Sequence, residues 1–246
     1  MDCEKLKPYK NQEGTKRTQV EKMFDNLAPE YDYVNHTMSL GIDRIWRQKA
    51  IDHLKAKRTW PLRILDVATG TADLAILAAQ ELGPEEVIGI DISDEMMNIG
   101  RKKIEEAGLK HTVTLQNEDC AALSFAGNYF EAVMSAFALR NFENLDDCLK
   151  EMHRVLTPGG NIVVIDLCAP TRFPMKQIFQ IYKAVIMPLM GKKCAKDSET
   201  FRYLPESMEK IEQGTAMVSH FEKAGFKDVR FKRLSFSMCC MYTATK

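Results

Sequence analysis

The sequence predicts an α/β fold: a doubly wound, mostly parallel sheet of seven strands, ending in an antiparallel hairpin. Between Leu62 and Leu167, short apolar runs alternate with helical stretches of about 10–15 residues, the signature of βαβ units in a parallel sheet. Right-handed crossovers between such strands distribute the helices over both faces. Beyond residue 226 two alternating segments, about 227–233 and 236–244, follow each other with only "RLSF" at their junction, which makes them a hairpin.

The opening stretch "MDCEKLKPYKNQEGTKRTQ" (1–19) is polar and charged, with no apolar h-region, and reads as a flexible tail instead of a secretory signal. From Val20 the spacing of Met23, Phe24 and Leu27 predicts a short helix, broken before Pro29. A second helix is expected from an Asp43 N-cap to Ala56, burying Ile45, Trp46, Ile51 and Leu54, with "TWP" closing a helical N-terminal cap over 20–60.

The sheet begins with "LRILDVA", followed by the helical "TADLAILAAQELG" that Gly83-Pro84 stops. "EVIGID" is the second strand, and Ser93 N-caps the next helix through Ala107-Gly108. "TVTLQNED" and "FEAVMSAFAL" are strands three and four; the helix "LDDCLKEMHRVL" ends at Thr157-Pro158-Gly159-Gly160, and "NIVVIDLC" is strand five. An amphipathic stretch (173–190), a polar segment and a helix ending "HFEKAGF" precede the hairpin. Residues 170–215 read as an insertion on the open side of the sheet, so 20–246 form one domain.

Bulk properties narrow the partners. Of 246 residues, 34 Lys and Arg balance 34 Asp and Glu, so no net field draws in nucleic acid. The seven cysteines are odd in number and contain no C-x-x-C pair, which argues against a disulfide framework or a zinc site and for a reducing, cytoplasmic compartment. No window holds 18 uninterrupted apolar residues. No metal site is expected.

Ligands of open α/β sheets bind beyond the carboxyl ends of the strands. The first βα turn, "LDVATGTADLA" (65–75), sets Asp66 near the end of strand one and Gly70 where a ligand approaches the backbone. A dinucleotide turn wants G-x-G-x-x-G, but here Ala72 and Ala75 occupy two glycine places, and Asp73 in the first helical turn would repel a phosphate. Asp66 and Asp73 favour a cation, and S-adenosylmethionine carries a sulfonium and an ammonium without phosphate. Asp91 closes strand two, where a carboxylate accepts both ribose hydroxyls in either cofactor class. Asp119-Cys120, after strand three, can reach an adenine through the carboxylate and the backbone. Any one of these acids alone is as readily a solvated loop residue or a cap; three at consecutive strand ends are not.

Strand four closes on Arg140 and Asn141 in place of a turn glycine. The bland reading pairs Arg140 with a nearby acid such as Glu143 and makes Asn141 a helix cap. The chemical reading gives Arg140 an acceptor oxyanion to hold by charge-assisted hydrogen bonds. Arginine stays protonated, so it is not itself a free base. Asn141 can donate and accept, and so can position the oxygen or a water.

The turn "LDVATGTAD", the strand end "GIDIS" and the run "HRVLTPGGNIVVID" resemble a class I S-adenosylmethionine-dependent methyltransferase of Rossmann-like fold. "MFDNLAPEYDYVNHTMSLGIDRIWR" (23–47), "FALRNF" (137–142) and "DSETFRYLPES" (197–207) narrow the resemblance to the UbiE/MenG family, the C-methyltransferases of ubiquinone and menaquinone biosynthesis, over residues 20 to 246. The resemblance puts Thr71, Asp91 and Asp119-Cys120 on cofactor contacts and implies that Arg202 and Tyr203 border the acceptor pocket. It departs where Thr69 and Ala72 replace glycines of the family's turn, and where Ala136 stands for a common serine.

The implied reaction is methylation of a ring carbon of a prenylated quinol. The "TGTAD" turn looks more like the menaquinone-only members, favouring demethylmenaquinol over the ubiquinone precursor. The rivals are another small apolar phenol as acceptor, or a non-catalytic subunit that binds S-adenosylmethionine or quinone. His36 is the one histidine retained as a candidate base. The stripe at 173–190 reads first as a helix on the core, and otherwise as a lid for a prenyl tail or a face touching the inner side of the membrane. Self-association stays open on sequence alone.

Overall fold

The computed structural model describes residues 2–57, 62–187, 189 and 198–246. Seven strands form one sheet in the order β3-β2-β1-β4-β5-β7-β6. They are β1 (Arg63–Val67), β2 (Glu86–Asp91), β3 (Val113–Asn117), β4 (Phe130–Ala136), β5 (Leu156–Leu167), β6 (Lys227–Leu234) and β7 (Cys239–Thr245). The first five pair in parallel; β7 lies antiparallel between β5 and β6. The central strands are apolar because both faces are covered: Ile64, Leu65, Val67, Val133, Met134 and Val163 are all fully buried.

Helices α4 (Asp73–Leu82), α5 (Asp94–Glu106), α6 (Leu145–Val155) and α9 (Thr215–Lys223) flank the sheet, as the alternating pattern predicts. Ser93 accepts from the Met96 amide as the α5 N-cap, as expected. Gly100 lets α5 approach the first βα turn, since a Cβ there would stand 3.2 Å from the Thr71 carbonyl carbon and from Ala72 Cβ. Strand order reverses between β1 and β4, and the first βα turn opens at that switch point.

The cap differs from expectation in detail. Helix α1 (Lys16–Leu27) starts at a Thr15 N-cap, before Val20. After a short turn come α2 (Tyr31–Met38) and α3 (Ile42–Ala56). Asp43 is a buried residue inside α3, whose N-cap is the left-handed Gly41. Ile45, expected in the core, is 55% exposed, whereas Trp46, Ile51 and Leu54 are buried. "TWP" (59–61) lies outside the described residues.

The segment expected to be a flexible tail packs against the domain. Cys3, Leu6 and Tyr9 are buried, and the Gln19 side chain pins the chain by accepting from Tyr9 N and donating to Gln12 O. The Lys16 ammonium donates to the carbonyls of Cys3, Arg140 and Phe142. A polar sequence hides such packing because the Lys16 bonds to Arg140 and Phe142 reach backbone more than a hundred residues away.

The insertion after β5 contributes α7 (Met175–Ile181), a wider turn continuing to Ile186, and α8 (Ser198–Lys210), a helix where the sequence reads only as polar. Residues 188 and 190–197 of this expected lid are outside the described set. Cap and insertion share apolar clusters: Leu6, Tyr9 and Met23 with Tyr203, and Leu27 and Val34 with Met187 and Phe201. Together they roof the carboxyl ends of β1 and β4.

One cysteine expectation is overturned. Cys120 and Cys148 form a disulfide with Cα atoms 5.0 Å apart, linking the end of strand three to α6. Sequence spacing carries no sign of this pair, because a parallel sheet brings strand ends and neighbouring helices together irrespective of separation.

Candidate active site

Two cavities meet under the roof. One, of 140 Å³, lies over the glycine turn and is lined by Gly70, Asp91, Asp119, Cys120, Ala138 and Asn141, among others. The other, of 610 Å³, is bounded by the cap, α7, α8 and the β6–β7 turn, and its lining is mostly apolar, with Arg140, Asn141 and Tyr203 on one wall and Asn35, Thr37, Ser39, Thr200 and Ser235 among its other polar members. Phe24, Tyr31 and Asn141 line both.

In the polar cavity, Asp91 accepts from Gly70 N at 2.8 Å through one oxygen and from Ser93 N at 2.9 Å through the other. Desolvation raises its carboxyl to about 6 despite these bonds. Each oxygen keeps a lone pair, the capacity two vicinal hydroxyls need. Gly70 adopts φ +57°, so the amide that orients Asp91 depends on a left-handed turn.

Asp66 is buried and accepts from Thr69 Oγ1 at 2.7 Å. Burial pushes it up to about 7. Thr69, one of the departures from the family's glycines, thus acquires a structural use. A small recess joins Asp66 to Arg47, Thr71 and Tyr31. Arg47 is buried, and its Nε has no partner. A carboxylate facing a guanidinium with an orphaned donor suits the ammonium and carboxylate of an amino-acid group.

Other expected contacts are redirected. Asp73 is not a free carboxylate: Arg47 Nη2 lies 3.4 Å from it and Lys103 pairs with its other oxygen. Helices α3 and α5 each send a cation across the turn, so the expected attraction for a cationic ligand rests on Asp66. Thr71 Oγ1 donates to Asp32 of the cap at 2.7 Å. Asp119 pairs with Arg17 at 2.8 Å and accepts from Ala121 N, while Cys120 lines the cavity with its sulfur held by Cys148. Ser135 is spent on Val67 O, a β4–β1 contact.

On the acceptor side, Arg140 does pair with an acid, but the acid is Asp166 at the end of β5, not Glu143. Asp166 also accepts from Arg140 N at 3.0 Å, and Arg140 Nη1 donates to Phe137 O at 2.6 Å. Glu143 instead accepts from Lys16 N. Burial works against the Arg140 charge, yet Asp166 and neighbouring tyrosines raise its affinity for the proton overall. The guanidinium is a fixed cation whose Nε is buried and unpartnered, on the wall of an apolar cavity.

Asn141 is not the α6 cap; Asn144 is. Asn141 Oδ1 accepts from Tyr203 OH at 3.2 Å and its Nδ2 donates to Phe137 O at 3.4 Å. Tyr203 lines the apolar cavity as expected, but Arg202 does not. Its guanidinium donates to Pro8 O and pairs with Glu199 and Glu206, because consecutive helical residues point about 100° apart. His36 is engaged with the buried Asp43 at 2.8 Å and lines neither cavity.

Sequence reasoning missed Asp166 and Arg47. Asp166 is a fourth acid at a strand end, in "VVIDLC", and was legible by the rule that exposed the other three. Arg47 lies on a cap helix whose docking has no periodic signature.

The family model of the ubiE/COQ5 methyltransferase family matches residues 12–246. The demethylmenaquinone methyltransferase of Bacteroides fragilis is 53% identical over 243 residues, covering 99% of this chain and 98% of that protein. The enzyme of the same name from Porphyromonas gingivalis is 39% identical over 99% and 98% of the two chains. The ubiquinone/menaquinone biosynthesis C-methyltransferase UbiE of Coxiella burnetii is 35% identical, over 94% and 92%. Among solved structures, a SAM-dependent methyltransferase from Aquifex aeolicus superposes with TM-score 0.58 at 20% identity, covering 79% of this chain and 88% of that one. Phosphoethanolamine N-methyltransferase 2 of Haemonchus contortus, solved with S-adenosyl-L-methionine, gives TM-score 0.61 at 16% identity, over 91% and 60%. At these identities the two structures speak for the fold.

Proposed function

The chain belongs to the ubiE/COQ5 methyltransferase family, and from that premise we propose that it methylates a ring carbon of a prenylated quinol, converting demethylmenaquinol to menaquinol with S-adenosylmethionine as donor. The observation that carries this reading is the shared wall: a polar cavity with ribose- and amino-acid-matching groups adjoins an apolar cavity across Phe24, Tyr31 and Asn141.

When bound, S-adenosylmethionine supplies an electrophilic methyl group on a sulfonium. Asp91 would hold the ribose hydroxyls with its two pre-oriented oxygens. Asp66 would take the ammonium and Arg47 the carboxylate of the methionyl end. Asp119 and Cys120 border the adenine side, with Thr71 acting through Asp32 to hold the cap over the turn.

A quinol carbon becomes nucleophilic as its neighbouring hydroxyl loses a proton, because the phenolate pushes electron density onto the ring. Arg140 stabilises that oxyanion: it is permanently charged, fixed by Asp166, and keeps a free donor in a mostly apolar cavity. Asn141, oriented by Tyr203, positions the oxygen or the water that removes its proton. The apolar lining from Met23, Leu27, Ile178 and Phe179 accommodates the ring and the start of the tail and excludes water from the transfer. We assign the membrane surface as the place where the tail is met, through the face at 173–190.

The test is methyl transfer from labelled S-adenosylmethionine to reduced demethylmenaquinone beside the ubiquinone precursor. Transfer to the former is expected. Transfer only to a tailless phenol, or S-adenosylmethionine binding without transfer to any quinol, overturns the reading.

A further inference from the structure

The mouth of the apolar cavity is ringed by large apolar side chains left in water. Leu40 is 86% exposed, Phe236 82%, Ile178 52% and Ile186 43%, and all four line the cavity. They come from three separate segments: the α2–α3 corner, the β6–β7 turn, and the α7 region. The Trp46 indole donates to Ser235 Oγ at 2.9 Å and holds two of these segments together. Phe173, Ile181 and Leu189 extend the ring outward, at 82%, 63% and 58% exposure. Large apolar side chains exposed side by side mark an interaction surface.

The turn that presents Phe236 is itself unusual. Ser235, Phe236 and Ser237 all adopt positive φ, of 43°, 56° and 71°, and none is glycine. Three successive left-handed residues are held against their preference, and the outcome is a phenylalanine in solvent instead of in the core. Strain that displays an apolar side chain points to a partner that receives it.

Exposed cations flank the ring, although Lys183 of the α7 region is paired with Glu209 of α8. Arg172 and Lys176 are exposed beside Phe173, and Arg44 is exposed next to Ile45 on α3. The acid that precedes Arg44, Asp43, is buried against Arg47 and His36.

We propose that this rim is the surface by which the protein rests on an anionic phospholipid bilayer, so that the acceptor cavity opens directly into the acyl layer. The inference rests on the quinol reading for its purpose but not for its geometry. Apolar residues flanked by exposed cations match the boundary between acyl chains and anionic headgroups. Continuity between rim and cavity removes the need for a prenyl tail to cross water.

The experiment is co-sedimentation of the full chain with vesicles of phosphatidylcholine alone and of phosphatidylcholine mixed with phosphatidylglycerol. The expected result is binding to the mixed vesicles, weakened by salt, and little to the neutral ones. Phe173→Asp and Ile181→Asp, neither of which lines the cavity, should each lower partitioning by about tenfold. Lys176→Glu should lower it about fivefold on anionic vesicles only. All three should keep the wild-type melting temperature and turnover on a tailless quinol. Failure to bind the mixed vesicles, equal binding to neutral ones, or variants that bind as wild type overturn the proposal. So does a stable dimer in sedimentation velocity that the same variants dissociate. Vesicle binding without any quinol methylation supports the surface and breaks the functional reading; methylation of detergent-dispersed reduced demethylmenaquinone without vesicle binding does the reverse.

Discussion

Lys16 donates from its ammonium to the backbone carbonyl of Arg140 at 2.8 Å. The lysine is fully buried, and the same ammonium takes the carbonyls of Cys3 and Phe142 at 2.9 Å each. One side chain from the first helix thus fixes both the N-terminal segment and the loop that carries the acceptor-side residues. Cys3 Sγ adds a weak bond to the Arg140 carbonyl at 3.0 Å.

Replacing Lys16 by methionine keeps the stem and removes the donor. The Phe142 carbonyl then loses its donor, while the Cys3 carbonyl keeps only Leu6 N and the Arg140 carbonyl only the Cys3 thiol and the Tyr203 hydroxyl, and the change should destabilise the fold by about 1–3 kcal/mol. Urea unfolding measures it. An unchanged midpoint would mean that the clamp contributes nothing and that water replaces it.

Asp166 and Arg140 form the second buried constraint on that loop. Asp166→Ala strands a buried guanidinium and should cost about 3–5 kcal/mol. Asp166→Asn keeps an acceptor for Arg140 N and should fold, yet turn over more slowly because Arg140 is no longer held in place. Arg140→Lys should lower turnover by about 100-fold, the loss typical of one oxyanion donor, with S-adenosylmethionine affinity near wild type. Calorimetry beside single-turnover rates separates these effects. Normal turnover in Arg140→Lys removes it from the chemistry.

How much of this was readable from the sequence follows from which forces were periodic. Strands two and three and helix α5 stand where "EVIGID", "TVTLQNED" and the Ser93 cap put them, since apolar alternation and capping are local. The acids at strand ends were legible by the same locality. What was hidden needed a third dimension: Arg47 and Lys103 reaching Asp73, Lys16 under the Arg140 loop, and Cys120 beside Cys148. Arg202 and Tyr203 show the limit of carrying roles over by motif, because adjacent residues in one motif face different sides of α8, about 100° apart.

The cofactor-side carboxylates set a pH dependence. Burial raises Asp66 from the ordinary 3.8 to about 7, and desolvation raises Asp91 to about 6. The folded protein therefore holds protons that the unfolded chain has released, and its stability falls as pH rises from about 4 through these values. A cationic ligand favours the ionised forms, so S-adenosylmethionine affinity should rise with pH between about 5.5 and 7.5. Binding near pH 6.5 should release protons, detected by calorimetry in two buffers of different ionisation enthalpy. Asp66→Asn should flatten the upper part of that rise. A pH-independent affinity would mean that neither carboxylate meets the ligand's charge.

Neighbouring substitutions on α8 test the assignment of the two cavities most directly. Tyr203 donates to Asn141 Oδ1 from the apolar wall, whereas Arg202 contacts Glu199, Glu206 and Pro8 O on the other side. Tyr203→Phe removes one hydroxyl and should cost about 1 kcal/mol of stability, while freeing Asn141 to rotate. Turnover on the quinol should drop severalfold, with little change in cofactor affinity. Arg202→Ala loses half-exposed ion pairs worth about 0–1 kcal/mol and should leave turnover and quinol KM intact. If the arginine variant loses quinol affinity and the phenylalanine variant does not, the acceptor lies on the Arg202 face of α8, and the apolar cavity is not its site.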